Sequence, residues 1–274
     1  MLNVSNRCGF IGLGSQGGPI ARRMIEAGLN VTLWARKPQT LAPFRQTMAE
    51  FAASPAELAA QVEHVGVCVV NDADVQEVCS QLIPAMRAGG RIAIHSTVHP
   101  NTCRALAAQA AARGVALIDA PVSGGGPAAE AGTLTVMVGG DFQAFEAARP
   151  IFSTFGRLIV HLGEIGTGQI AKLVNNTLMA ANLALAHSAL QAAGTLGLER
   201  AAVVQLLSAS SARSFALDVC ARMPSPQSFA HGASLLAKDV QLLGNVMAAR
   251  SVPFEALRDA AVPFLNLALA GSAK

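Results

Sequence analysis

The sequence predicts an α/β fold: an N-terminal doubly wound parallel sheet followed by an all-α C-terminal domain. Two observations carry this. Up to about residue 164, short apolar runs alternate with helical stretches; beyond Gly168, only helical patterns remain. The chain has 274 residues, 52% apolar and 14% charged, which is enough material for two cores of ordinary size.

Strands of a buried parallel sheet read as short apolar runs. Such runs fall at Cys8–Ile11, Val31–Trp34, Val65–Val70, Arg91–His95 and Val115–Ile118. The stretches between them are long enough for the helix that each parallel crossover needs. Ser54-Pro55 and Asn71-Asp72 carry the side-chain acceptors that start helices. Two more strand-like runs, Thr133–Val138 and Leu158–Leu162, are expected to extend the same sheet, with a helix over Phe142–Phe152 between them. The glycine-rich GEIGTG at Gly163–Gly168 marks the expected boundary between a domain of residues 1–164 and one of residues 165–274. Helices are then expected at Ile170–Gly194, Ala201–Ser208, Ser214–Arg222, Leu235–Arg250 and Phe254–Leu269. The first of these, about 25 residues long, exceeds the usual globular length. It is expected to run through a core or a subunit interface.

The formal charge of +3 and the lack of any Lys/Arg run argue against nucleic acid as a partner. The low share of charge suits an oligomer, a homodimer or homotetramer, better than a monomer. Of five cysteines, an odd number with no Cys-x-x-Cys pair, four fall in apolar or helical stretches and read as small hydrophobes, which suits a reducing, cytoplasmic setting. The N-terminal MLNVSNR has no long apolar region of the signal-peptide type. Asn182, His187, Ser188 and Gln191 interrupt Thr177–Ala193, which therefore reads as a buried helix, not a membrane span.

The segment GFIGLGSQGG places Gly12, Leu13, Gly14 and Gly17 in a G-x-G-x-x-G between the first strand and the first helix. Gly12 permits the tight turn, Gly14 lets backbone approach a pyrophosphate, and Gly17 allows close helix–strand packing. The helix N-terminus then faces the phosphates with free N–H groups. This is the Rossmann-type dinucleotide context. NAD enzymes place an acidic residue about 20 residues further on, but none occurs from Leu29 to Ala49. Arg36 and Lys37 stand there instead, either as surface cations or as partners for a 2′-phosphate. The second reading is favoured, and it makes the cofactor NADP(H).

Three further segments would lie near such a cofactor. In IHSTVHP, Ser96 and Thr97 follow a core strand, at the carboxyl end where open α/β sheets bind ligands. His95 and His99 lack the helix and acidic partner of a metal pair, so no metal site is expected. In DAPVSGGGPAAEAGTL, Ser123, Gly124 and Gly125 can form an anion-binding concavity for a small carboxylate, or an unliganded loop. In GTGQIAKLVNNTL, Lys172 and Asn176 share a helix face. A lysine in an apolar stretch either snorkels at the helix start or is kept there for proton transfer, with burial lowering its pKa.

Together these segments resemble the β-hydroxyacid dehydrogenase family, which includes 3-hydroxyisobutyrate dehydrogenase, tartronate semialdehyde reductase and glyoxylate/succinic semialdehyde reductase. The resemblance runs from Gly9 to about Leu243. It implies that Lys172 is the catalytic acid/base and that Asn176 holds the substrate. It also implies that Ser123, Gly124 and Gly125 bind the substrate carboxylate, and that Thr97 lies beside the nicotinamide. The segment FAHGASLLAKDVQLL matches the family's last motif. Lys238 would contact cofactor or substrate there, Asp239 would position it, and Phe229 would pack over the site. A dimer of interlocked helical domains is implied as well. Gln16 and His95 depart from the family pattern, and the pocket segments Ser210–Phe215 and Pro224–His231 match no substrate signature. A short-chain dehydrogenase is excluded, because the chain has no tyrosine. An imine reductase-like enzyme and a non-catalytic NADP(H)-binding protein are the alternatives; Lys172 argues against the first, and retention of Lys172, Asn176 and Ser123 together against the second.

Overall fold

The computed structural model describes residues 7–270; the MLNVSN segment read above lies outside them. The first half alternates as expected: β1 (Arg7–Ile11), α1 (Gly17–Glu26), β2 (Asn30–Trp34), β3 (Glu50–Phe51), α2 (Pro55–Gln61), β4 (His64–Val67), α3 (Asp72–Ala85), β5 (Arg91–Ile94), α4 (Pro100–Ala111) and β6 (Ala116–Asp119). These strands form one sheet in the order β3-β2-β1-β4-β5-β6, parallel throughout. The order reverses beside β1, which places the dinucleotide crevice at the carboxyl ends of β1 and β4.

The caps are where the sequence put them. The Ser54 side chain accepts from Glu57 N–H with Pro55 in the first turn of α2, and the Asn71 side chain accepts from Asp74 N–H at the start of α3. β4 is shorter than expected. After Val67 the Val69 amide turns to the Ser96 hydroxyl instead of a neighbouring strand.

The remaining strands correct one expectation. β7 (Val122–Ser123), α5 (Gly125–Glu130), β8 (Leu134–Val138), α6 (Phe142–Phe152) and β9 (Gly156–His161) follow. They do not extend the first sheet. β7, β8 and β9 make a second one, with β7 antiparallel and β9 parallel to β8. The link from Ser123 to Leu134 is too short for a parallel crossover, so β8 turns back on its own predecessor. In hydrogen-bonded strand pairing, the isolated bridge Asp119–Gly139 links β6 to this region.

One face of the large sheet, with Phe10, Leu33 and Ile118, packs on α1, α6 and the second sheet. The other, with Ile11, Val65, Val67, Ile92 and Ile94, packs on α2, α3 and α4. The C-terminal part is helical: α7 (Thr167–Thr195), α8 (Arg200–Ala209), α9 (Phe215–Arg222), α10 (Ala230–Ala248) and α11 (Glu255–Leu269). Two compact units divide the chain after Lys172. The second has its own core, around Leu183, Leu217, Leu236, Phe264 and Leu265.

α7 is longer than expected and is not buried all round: Val174, Leu178 and Leu185 are exposed. The five cysteines carry no disulfide, and Cys68 alone is not fully buried. Burial pushes the Cys8, Cys68 and Cys79 thiols up to about 12, which leaves them unreactive. No helix among the described residues is long and apolar enough to cross a membrane.

Candidate active site

The loop after β1 has the geometry of a dinucleotide cradle. Gly12 adopts φ +95°, and a Cβ there would collide with the Cys68 carbonyl. A Cβ on Gly17 would collide with the Gly12 carbonyl, so α1 starts directly against the strand end. A Cβ on Gly14 would meet nothing within 4 Å. Two glycines are thus demanded by packing, and the middle one leaves open space. No side chain caps this end of α1, so its first N–H groups suit the pyrophosphate of a nicotinamide dinucleotide.

At the end of β2, Arg36 and Lys37 are both exposed. Arg36 is not a lone cation. It donates to Asp74 Oδ1 at 2.8 Å and to Glu77 Oε2 at 2.9 Å. The Asp74 hydrogen bond first, then the Glu77 and Asp74 charges, hold the guanidinium pKa above its usual value. The missing acid of β2 is therefore answered by two acids from α3. Sequence reading missed these two because they lie 38 and 41 residues away.

Past β5, the expected hydroxyls take different parts. Ser96 is buried, and its Oγ accepts from the Val69 N–H, so it braces the end of β4. Thr97 is half-buried. His95 is buried against Phe10, Phe152 and Phe155 and donates from Nδ1 to the Ala120 carbonyl at 2.8 Å. His99 caps α4 by accepting from Asn101 N–H.

Ser123 ends β7, and Gly124 and Gly125, both at positive φ, lead into α5. A Cβ on Gly126 would stand 3.1 Å from the Ser15 carbonyl. The Ser-Gly-Gly-Gly loop therefore abuts the dinucleotide loop.

The start of α7 is built around Asp119, which the sequence reading left without a role. The fully buried carboxylate accepts from Gly166 N–H (2.6 Å) and from Gln169 N–H (2.7 Å). Burial pushes its pKa up while those two amides oppose the shift. A Cβ on Gly168 would lie 2.8 Å from Asp119 Oδ2, which explains a glycine there. Gln169 is also fully buried. Its Nε2 donates to the Ser96 carbonyl at 2.8 Å, and its Oε1 accepts from Val98 N–H at 3.1 Å. One turn later comes Lys172, only 7% exposed. The clue to this frame was the shared motif context, Asp119 in DAPVSGG and Gln169 in GTGQIAK.

In the second unit, Asn176 Nδ2 donates to Asp239 Oδ2 at 2.6 Å, and Lys238 Nζ lies 3.2 Å from Asp239 Oδ1. Asp239 is buried and so holds both expected partners. Phe229 is half-buried and packs on Phe264, with ring centroids 6.2 Å apart. In the first unit the structure sets the Ser123–Gly126 loop against the dinucleotide loop and ties the residues flanking Thr97 to the start of α7; in the second it brings Asn176 and Lys238 together on Asp239.

Comparison with known proteins identifies the family. Residues 7–163 match the model of the NAD binding domain of 6-phosphogluconate dehydrogenase. Residues 166–273 match that of the NAD-binding domain of NADP-dependent 3-hydroxyisobutyrate dehydrogenase. The chain is 34% identical to a 3-hydroxyisobutyrate dehydrogenase of Pseudomonas aeruginosa, over 90% of this chain and 88% of that one. It is 34% identical to an NAD-dependent L-serine dehydrogenase of the same organism, over 85% and 82%. Among solved structures, a Mycobacterium tuberculosis 3-hydroxyisobutyrate dehydrogenase with L-serine superposes with a TM-score of 0.85 at 26% identity, covering 96% of this chain and 93% of that one. With the glycine cradle, the buried lysine and these relatives together, the chain belongs to the 3-hydroxyisobutyrate dehydrogenase family of NAD(P)-dependent oxidoreductases that act on CH–OH groups.

Proposed function

We propose that the chain is an NADP(H)-dependent dehydrogenase or reductase of a small β-hydroxyacid and its semialdehyde or oxoacid counterpart, with Lys172 as general acid/base. The nicotinamide, when bound, supplies or accepts the hydride. Gly12, Leu13, Gly14 and Gly17 hold the pyrophosphate, Arg36 and Lys37 the 2′-phosphate, and Thr97 and Lys238 the nicotinamide end. Ser123, Gly124 and Gly125 take the substrate carboxylate, Asn176 orients the reacting group, and Phe229 covers it. As the carbonyl is reduced, the Lys172 ammonium gives its oxygen a proton and is left as the neutral amine; in the oxidative direction the amine takes that proton back. In this reading residues 1–164 are the cofactor domain, and residues 165–274 provide the catalytic helix and the subunit interface.

The observation that carries the reading is Lys172 itself. A lysine 7% exposed is costly to keep in an apolar stretch without a use, and its helix is anchored at Asp119 and Gln169. The description of the C-terminal match as NADP-dependent supports the cofactor. The test is turnover of glyoxylate, succinic, methylmalonate and tartronate semialdehydes with NADPH and with NADH. Lys172→Ala should lower turnover by a factor on the order of 10² to 10⁴ while NADPH still binds. Full turnover in that variant would remove the lysine from the mechanism. NADPH binding without turnover on any substrate would favour an imine as substrate, or a binding role.

A further inference from the structure

We propose that Gln169 is a positioning residue of the reaction, a neutral clamp that ties the Thr97 segment to the helix turn carrying Lys172. This rests on the reading of Lys172 as the proton donor. Three hydrogen bonds carry the inference. Gln169 N–H donates to Asp119 Oδ2 at 2.7 Å, its Nε2 donates to the Ser96 carbonyl at 2.8 Å, and its Oε1 accepts from Val98 N–H at 3.1 Å. The last two grip the residues on either side of Thr97. The orientation of the amide is unambiguous, because the Ser96 carbonyl can only accept and the Val98 amide can only donate.

The chemistry of the clamp is selective. It needs one donor and one acceptor at the end of a side chain of fixed length, with no charge, at a site 0% exposed. Glutamine meets all of this. A glutamate carboxylate would set a negative charge against the Ser96 carbonyl, and a methionine would leave buried Ser96 C=O and Val98 N–H unpaired. Lys172 lies three residues beyond Gln169, on the adjoining turn of the same helix face. Proton transfer falls steeply when donor and acceptor are displaced by about 1 Å. A link that fixes both the strand-end segment and the helix start therefore controls the chemical step more than ligand capture.

Two readouts test this on the full-length protein with NADP(H). The first needs no substrate. The chain has four lysines, Lys37, Lys172, Lys238 and Lys274, so with ε-13C-lysine labelling each can be assigned by a Lys→Arg variant and titrated by NMR. In Gln169→Met the Lys172 midpoint should move by about half a unit or more, while that of Lys37 stays in place. The second is kinetic: kcat should fall on the order of ten- to a hundredfold, with NADPH Kd and substrate KM within about threefold. Gln169→Glu supplies the rescue. Its protonated form repeats both side-chain bonds, so it should follow the unaltered chain at low pH and the methionine variant at high pH. A Gln169→Met protein with the Lys172 titration and kcat of the unaltered chain would overturn the proposal. So would equal losses in Met and Glu variants at every pH, the mark of a purely structural role. If Lys172→Ala keeps full turnover, the lysine assignment is what fails, and the Lys172 titration still decides whether Gln169 positions that side chain.

Discussion

Two residues show how much depends on what stands opposite a side chain. The place of Arg36 after β2 suits a 2′-phosphate ligand, yet its guanidinium is shared between Asp74 and Glu77. These carboxylates offset the charge that a phosphate would use and would repel the phosphate itself. Replacing Arg36 and Lys37 by Gln should weaken NADPH far more than NADH. Asp74→Asn with Glu77→Gln should do the reverse and tighten NADPH several-fold. Fluorescence titration with both nucleotides measures this, and equal effects on the two would mean that the cations are ordinary surface groups. His95 makes a second case. Burial lowers its pKa to about 4, against the opposing hydrogen bond to Ala120; burial, then Arg91 and His95, lower that of His64 to about 3. An unfolded histidine titrates at about 6.5, so the unfolded chain takes up the proton first as pH falls. The stability held by the neutral ring is full above about pH 6.5 and is lost progressively down to about pH 4, on the order of 3 kcal/mol for His95. His95→Phe should be less stable than the unaltered chain at pH 8 and lose less on acidification, as read from urea midpoints across that range. Parallel pH curves would show that His95 stays uncoupled from folding.

At the scale of elements, the helix starts separate local from distant causes. Ser54 and Asn71 cap their helices from the adjoining residue, so both were legible in the sequence. The start of α7 depends on Asp119, which is 47 residues from one donor and 50 from the other. No local pattern announces such a cap. Asp119→Ala should cost about 3 kcal/mol, two charge-assisted bonds being lost in a buried place. Asp119→Asn, which keeps one acceptor, should cost less. Chemical denaturation of the two variants checks the order, and an alanine variant of full stability would show that the helix start holds by packing alone. The second sheet was missed for a related reason. Strand-like patterns mark β8 and β9, but pairing partners depend on connection length and on a two-residue strand, β7, too short to give a pattern.

At the scale of the whole molecule, the apolar surplus of the sequence has a place to go. Val174, Leu178 and Leu185 leave part of α7 exposed by 45%, 50% and 61%, where the family resemblance implies a subunit interface. Sedimentation should find a dimer or tetramer, and Leu178→Glu with Leu185→Glu should shift it to a smaller species. A chain that sediments as a monomer before substitution would remove the oligomer from the reading.

By itself the sequence determined the order of strands and helices, the glycine cradle, the local caps and the family motifs, because each depends on residues within a turn or two of one another. Tertiary structure alone decided what those motifs face: the pairing of Arg36 with two acids of α3, the withdrawal of Ser96 into a brace, the second sheet, and the Asp119–Gln169 frame beneath Lys172. Burial and long-range hydrogen bonds set these, and a charge or an amide read along the chain carries no record of the partner that folding brings to it.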